Sequence, residues 1–501
     1  MRSALTAAVL AAGLLLSACT GAAGPEARPT PSAAPSAAPT EAEPTPVPLA
    51  WAPCGDGFEC TVLPAPLDRG DPSAGTVDLA VTRRPAPDAA TRIGSLVVNP
   101  GGPGSSAVDY LQQAWQQVPE PVRARFDLVA FDPRGVGGSA PVRCVTTEEL
   151  DALVALDPDP DDDAELQALQ DGGRRLADGC AARSGDVLPH VSTEEAARDL
   201  DLLRASLGDE GLTYLGYSYG TAIGAEHLRL FPTRVRAMVL DGALDPALSW
   251  DELLSGQAAG FDVALAAFLD DCERTRCAFR RVVDGDLTAA FDVLAARVDA
   301  QPLPGDGERT VGPGEFSLGV GAGLYSRTSG WPAVAEGLAL AEQGDGSVLL
   351  QLSDAYLDRT DDGYANTTEA NLAVNCIDRP WPRETGPYLE LAEQVRRTSP
   401  RFGPAIALSG LSCATWPVPP VREPQPVQAG GAPPVVVIGT TRDPATPYAW
   451  SQALADQLSS AVLLTVDGDG HTAYRTGTGP CLQEPVDAYL VTGHVPSAVT
   501  C

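Results

Sequence analysis

Residues 212 to 232 read LTYLGYSYGTAIGAEHLRLFP and set one serine between two glycines: Gly216, Tyr217, Ser218, Tyr219, Gly220. The chain holds 50 glycines in 501 residues. A G-x-S-x-G match therefore arises by chance about 0.3 times in such a chain and decides nothing alone. Context decides. LTYLGY is a short apolar run of strand character, and YGTAIGAEHLRLF carries a helical pattern that Pro232 stops. A strand that turns at a serine into a helix holds the hydroxyl at the carboxyl edge of a sheet, where a nucleophile can act.

The same alternation continues outward. IGSLVVNP is a buried-strand run followed by the glycine-rich turn GGPGSS, and FDLVAFDPRGVGGS is a second strand ending in a loop. STEEAARDLDLLRASLG predicts a helix with a capping box, Ser192 and Glu195, and with Leu200, Leu203 and Leu207 on one face. VRAMVLDG is a strand after the serine helix. This order predicts a parallel sheet with helices on both faces. From about 247 to 375 the pattern is mostly helical, and the alternation resumes with PPVVVIGTT, YAWSQALADQLS, AVLLTVDGDGH and a last helix near CLQEPVDAYLV. The expected division is an α/β core over 51–246 and 376–501 with a helical insertion over 247–375. Entering at the carboxyl ends of parallel strands, the insertion would cover the ligand site as a lid.

A serine hydroxyl needs a general base within hydrogen-bond reach. The histidines are His190, His227, His471 and His494. In an α/β-hydrolase the acid and then the histidine follow the serine, which sets His190 aside. His227 stands about 13 Å along the helix from Ser218 and reads as structural. His494 lies in the C-terminal tail, leaving His471 in DGDGHT beyond the strand AVLLTV. Asp443, just past the strand PPVVVIGTT, is the candidate acid; Asp467 and Asp469 compete from the histidine's own loop. Donors for a developing oxyanion are the N–H of Tyr219 and one from the turn Gly101-Gly102-Pro103-Gly104. That turn is not a phosphate loop, because no Lys-Ser/Thr follows it.

A net charge of −32 argues against a nucleic-acid partner, and 44% hydrophobic residues support a large core. At the start, MRSALTAAVLAAGLLLSAC places an Arg before an apolar run too short to span a bilayer, the pattern of a signal peptide over 1–18. Leu16-Ser17-Ala18-Cys19 resembles the bacterial lipobox, so Cys19 is the expected lipidated residue and membrane anchor. Residues 19–50 are a Pro/Ala-rich tether, and the globular part is expected to begin near Trp51. The ten remaining cysteines suggest sequential disulfides: 54–60, 144–180, 272–277, 376–413 and 481–501. No histidine joins them at zinc spacing, so no metal is expected.

Together NPGGPGSS, FDPRGVGGS, STEEAARDLDLLRASLG, YLGYSYGT, FPTRVRAMVLDGALDP, LYSRTSGWPAVAEGLALAEQGDG, VNCID and TTRDPATPYAW…GDGHT resemble a known family. It is that of the secreted tripeptidyl aminopeptidases of actinomycetes and their mycobacterial lipoprotein relatives, in the proline-iminopeptidase-like branch of the α/β-hydrolases. The resemblance implies an α/β-hydrolase fold with a helical lid and a TAP-like C-terminal segment starting at NCID. It implies an exported serine exopeptidase, needing no cofactor, that removes short peptides from free N-termini. Carried over, Ser218 is the nucleophile, Asp443 the acid, His471 the base and Gly102 the oxyanion glycine. Asp378 becomes an anchor for the substrate ammonium, with a solvated loop aspartate as the alternative. The chain has Asn99-Pro100 where more distant iminopeptidases have a His before the glycines. One rival reading is an envelope esterase or lipase-like enzyme with the same triad. Another is a non-catalytic, lipid-anchored binding protein, against which intact Ser218, Asp443 and His471 speak.

Overall fold

The computed structural model describes residues 45–501. The expected signal peptide, Cys19 and most of the tether lie outside the described residues. Ten strands form one sheet: β1 (Ala52–Gly55), β2 (Phe58–Pro66), β3 (Thr76–Arg84), β4 (Gly94–Asn99), β5 (Phe126–Phe131), β6 (Leu212–Tyr217), β7 (Val235–Asp241), β8 (Val435–Arg442), β9 (Ala461–Asp469) and β10 (Val499–Thr500). Their spatial order is β1-β2-β3-β5-β4-β6-β7-β8-β9-β10. Pairing is parallel from β5 to β10. Every residue of β4, β5 and β6 is buried, as strands covered on both faces require. Successive residues feed opposite layers: Val97 packs with Leu200, Ile223 and Leu228, whereas Leu96 and Val98 pack with Leu111, Leu482 and Leu490.

The expected parallel sheet is present, and an antiparallel meander, β1 to β3, extends it beyond β5. In β3, Val77, Leu79 and Val81 turn inward while Thr76 and Asp78 face out, the period of a strand with one buried face. The packed chain also begins before Trp51. Val47 and Leu49 lie against the core, and the Val47 N–H donates to Ser206 Oγ at 2.9 Å. The helix Thr193–Leu207 forms as expected, but only half of its capping box exists. Ser192 Oγ accepts from the Glu195 N–H at 3.3 Å, while the Glu195 carboxylate turns to Arg69 and Arg134.

The helical segment opens with Trp250–Thr275 and has a core of its own, including Leu265, Phe268, Leu294, Val320 and Leu338. It does not close at 375. That boundary falls inside the helix Thr367–Asp378, helices continue to Leu411–Ala414, and the sheet resumes at Val435. The reason lies in the packing of that stretch. Ala373, Val374, Ile377 and Trp416 belong to the core layer of the sheet, and Cys376 is bridged to Cys413. A second excursion, the helix Asp163–Ser184 between β5 and β6, joins the roof; a Cβ on Gly173 would sit 3.2 Å from Ser412 Cα. All five disulfides pair sequentially as expected.

Candidate active site

Ser218 ends β6 and begins the helix Tyr219–Leu230 with φ 52° and ψ −126°. Such a conformation costs an L-residue about 1–3 kcal/mol and persists only where its surroundings impose it. They do so here. The Ser218 N–H donates to Asp241 O at 2.9 Å, and Thr221 Oγ1 donates to Ser218 O at 2.6 Å. A Cβ on Gly216 would lie 2.6 Å from Gly220 O, and one on Gly220 would lie 2.7 Å from Asn99 O. Both glycines of the motif are therefore fixed by close approach.

The turn after β4 is pressed onto this elbow. A Cβ on Gly101 would come within 2.6 Å of Tyr217 O and 2.9 Å of Tyr219 N. The Gly101 N–H is committed to Asn99 Oδ1 at 2.9 Å, so Asn99 shapes the turn and the next donor falls to Gly102. Gly102, Tyr219 and Ser218 line one cavity.

His471 follows β9. Its N–H donates to Tyr325 O at 2.9 Å, and its ring stands edge-on to Tyr325 with centroids 5.2 Å apart. Its Nδ1 lies 2.9 Å from each Asp443 oxygen. Asp443, at the turn after β8, accepts from the N–H groups of Ala445 and Thr446 at 2.9 Å and from Thr446 Oγ1 at 3.2 Å. With Nδ1–H given to Asp443, the buried Nε2 carries the lone pair and has no hydrogen-bond partner among the described residues. Burial disfavours the charged ring most, but the Asp443 charge and hydrogen bond, aided by Asp241, outweigh it and raise the His471 pKa above its ordinary value. Asp467 and Asp469 instead pair with Arg442 at 3.1 and 2.5 Å and shape the turn.

Sequence reasoning missed Asp241. This last residue of β7 is fully buried, and its Oδ2 accepts from the N–H groups of Ala473 and Tyr474 at 2.8 and 2.7 Å. It thus clamps the loop that carries His471. Burial pushes its pKa up to about 6 against the pull of those two bonds. A carboxylate at the carboxyl end of a parallel strand was the available signal.

Two arms leave Ser218 under the helical roof. One, of about 690 Å³, is walled by Leu150, Leu153, Leu156, Leu169 and Leu318 and reaches His471. The other, of about 310 Å³, is lined by Asp245, Asn375, Asp378, Arg379, Trp381 and Arg422. Asp378 is not a solvated loop residue. It ends the helix Thr367–Asp378, is 7% exposed, and accepts from the Thr193 N–H at 2.9 Å and from the Thr193 hydroxyl. His227 stays structural, buried 3.5 Å from Asp201 and edge-on to Phe231. His494 is exposed in the tail.

Comparison with known proteins agrees with this architecture. The family model of the alpha/beta hydrolase fold matches residues 94–280, and that of the TAP-like protein matches residues 399–501. The chain is 36% identical to Serine protease Hip1 of Mycobacterium tuberculosis over 98% of its own length and 95% of that protein. It is 37% identical to Carboxylesterase B of the same species, covering 99% and 97%. It is 34% identical to the Tripeptidyl aminopeptidase of Streptomyces lividans, covering 89% and 83%. With this likeness running through core, roof and C-terminal segment, the protein is a serine hydrolase and belongs to the α/β-hydrolase family of the Hip1 proteases and actinomycete tripeptidyl aminopeptidases.

Proposed function

We propose that the protein is an exopeptidase that releases short peptides, tripeptides by the pattern of its relatives, from free N-termini. The reading is carried by a strained Ser218 that lines one cavity with His471, itself hydrogen-bonded to Asp443, beside a smaller arm that carries two carboxylates under the helical roof. Ser218 Oγ attacks the scissile carbonyl while His471 Nε2 takes its proton. The Gly102 and Tyr219 N–H groups receive the oxyanion, and Asp443 stabilises the imidazolium. The imidazolium then protonates the leaving amine, and water repeats the sequence on the acyl-enzyme. The polar arm holds the substrate ammonium through Asp378 and Asp245, so chain length is limited on that side. Export and anchoring through Cys19 are supported by the leader sequence and by five disulfides, which suit an oxidising compartment.

The leucine-walled arm and the likeness to Carboxylesterase B favour one alternative, an esterase with the same triad. Matched substrates separate the two: tripeptide p-nitroanilides with free N-termini, their N-acetyl forms, and p-nitrophenyl esters. Free peptides should be cleaved far faster than blocked ones. Equal rates on blocked and free peptides, or hydrolysis confined to esters, would overturn the exopeptidase reading. Fluorophosphonate labelling lost in Ser218→Ala identifies the nucleophile.

A further inference from the structure

The polar arm contains a cation that forms no ion pair among the described residues. Arg379 directly follows Asp378 and lines the arm beside Ser218. Its guanidinium makes one long hydrogen bond, from Nη1 to Leu248 O at 3.4 Å. Its Nε is shut from solvent with no partner, and no carboxylate among the described residues forms an ion pair with it. The other charges of the arm each have a protein partner. Arg422 pairs with Glu226 at 3.0 Å, and Asp378 is held by Thr193. Asp245 Oδ1 accepts from the Ala247 N–H at 2.9 Å and Gln457 Nε2 at 2.7 Å.

Burial pushes the Arg379 pKa down to about 10, against a weaker pull from Asp378, so it is still a cation at neutral pH. A guanidinium has five donors in a planar fork. The unpaired Nε is shut from water, which is costly, and the half-buried residue lines the arm, where a ligand's acceptors would meet donors that no protein group takes. A carboxylate fits that fork with two parallel bonds.

We infer that Arg379 is a specificity residue that takes a carboxylate of the substrate in the polar arm. The inference rests on the peptidase reading for the kind of molecule that carries this group. The carboxylate has two available sources: an acidic side chain near the scissile bond, or the C-terminus of a short peptide.

Two sets of substrates distinguish them. The first is free N-terminal tripeptide p-nitroanilides with Glu or Gln at each position in turn. The second is free tetrapeptides and their C-terminal amides. The wild type should favour one acid over its amide about tenfold to a hundredfold in kcat/KM, the size of a charge-assisted pair, mainly through KM. Arg379→Gln should erase that ratio and Arg379→Lys should keep part of it. Fluorophosphonate labelling of Ser218 reports that each variant is folded; if Arg379→Gln is not, the ratio in Arg379→Lys decides. A wild type indifferent to the carboxylate in both sets, or a ratio that survives in the variant, overturns the assignment. Failure of the peptidase reading looks different: all peptides resist while neutral p-nitrophenyl esters are hydrolysed. In that case hemisuccinate against neutral esters reads the role of Arg379.

Discussion

The two arms that meet at Ser218 differ in what fixes their walls. The larger has a wall of leucines from two separate excursions, around residues 150–176 and at Leu318, facing a polar edge that includes Asp358, Thr367 and Asn371. The smaller sets charged and amide groups among apolar ones such as Leu253 and Trp381, and holds several of them individually, Asp378 by Thr193 and Asp245 by Gln457. Apolar walls discriminate weakly, about 1–3 kcal/mol per methylene, whereas a site built for polar partners rejects a ligand that leaves them unpaired. In the proposed function, chemistry at the junction, selection in the polar arm and tolerance in the apolar arm fall to different residues, and each can be disturbed separately.

The largest effect belongs to the junction. Ser218→Ala should lower kcat/KM by about 10⁴-fold or more, and Asp443→Asn by about 10⁴-fold, equally on a peptide anilide and a p-nitrophenyl ester. Unequal losses on the two substrates would show that the junction itself selects. Next comes the polar arm. Asp378→Asn should raise KM for free N-terminal peptides about tenfold or more while leaving ester hydrolysis within twofold. Leu169→Ala should cost less, about three- to tenfold in kcat/KM for substrates with a large apolar side chain, because only apolar contact is lost.

A pH profile sharpens the same division. In the proposed mechanism His471 works as a neutral ring, so activity should fall as pH drops through its pKa, which lies above the ordinary 6.5. The acid limb of kcat/KM should therefore sit higher than for an isolated imidazole, for every substrate alike. Asp241→Asn removes a nearby negative charge and should move that limb down without changing the ratio between free and blocked peptides. A limb that moves for one substrate and not another would tie the titration to an arm instead.

The strand–turn–helix at Ser218, the pairing of His471 with Asp443 and the disulfides were legible because order and type carry the information. A serine between glycines after a strand, one histidine beyond a late strand, and an even set of cysteines needed no contact map. What escaped depends on distant contacts. The meander lies outside the strand–helix alternation, and Pro64 and Pro66 in β2 stand where β1 no longer pairs with it, as prolines beside an edge do. Asp241 is one aspartate in a strand ending VLDG, and its task appears only when residues 473 and 474 are brought against it. The end of the helical segment was misplaced because the helix Thr367–Asp378 serves roof and core at once, a double loyalty that periodicity does not record. Arg379 was invisible for a related reason: being unpaired is a property of the surroundings.

The backbone at Ser218 has an outcome for the fate of the protein over generations. At φ 52° and ψ −126° glycine is at ease and serine is not. Ser218→Gly should therefore be inert yet melt slightly higher in a calorimeter, by about 1 kcal/mol after the extra freedom of the unfolded glycine is set against the relief. Robustness and reactivity pull this codon in opposite directions, so a lineage that lost its need for the hydrolase would find the silent version the sturdier inheritance.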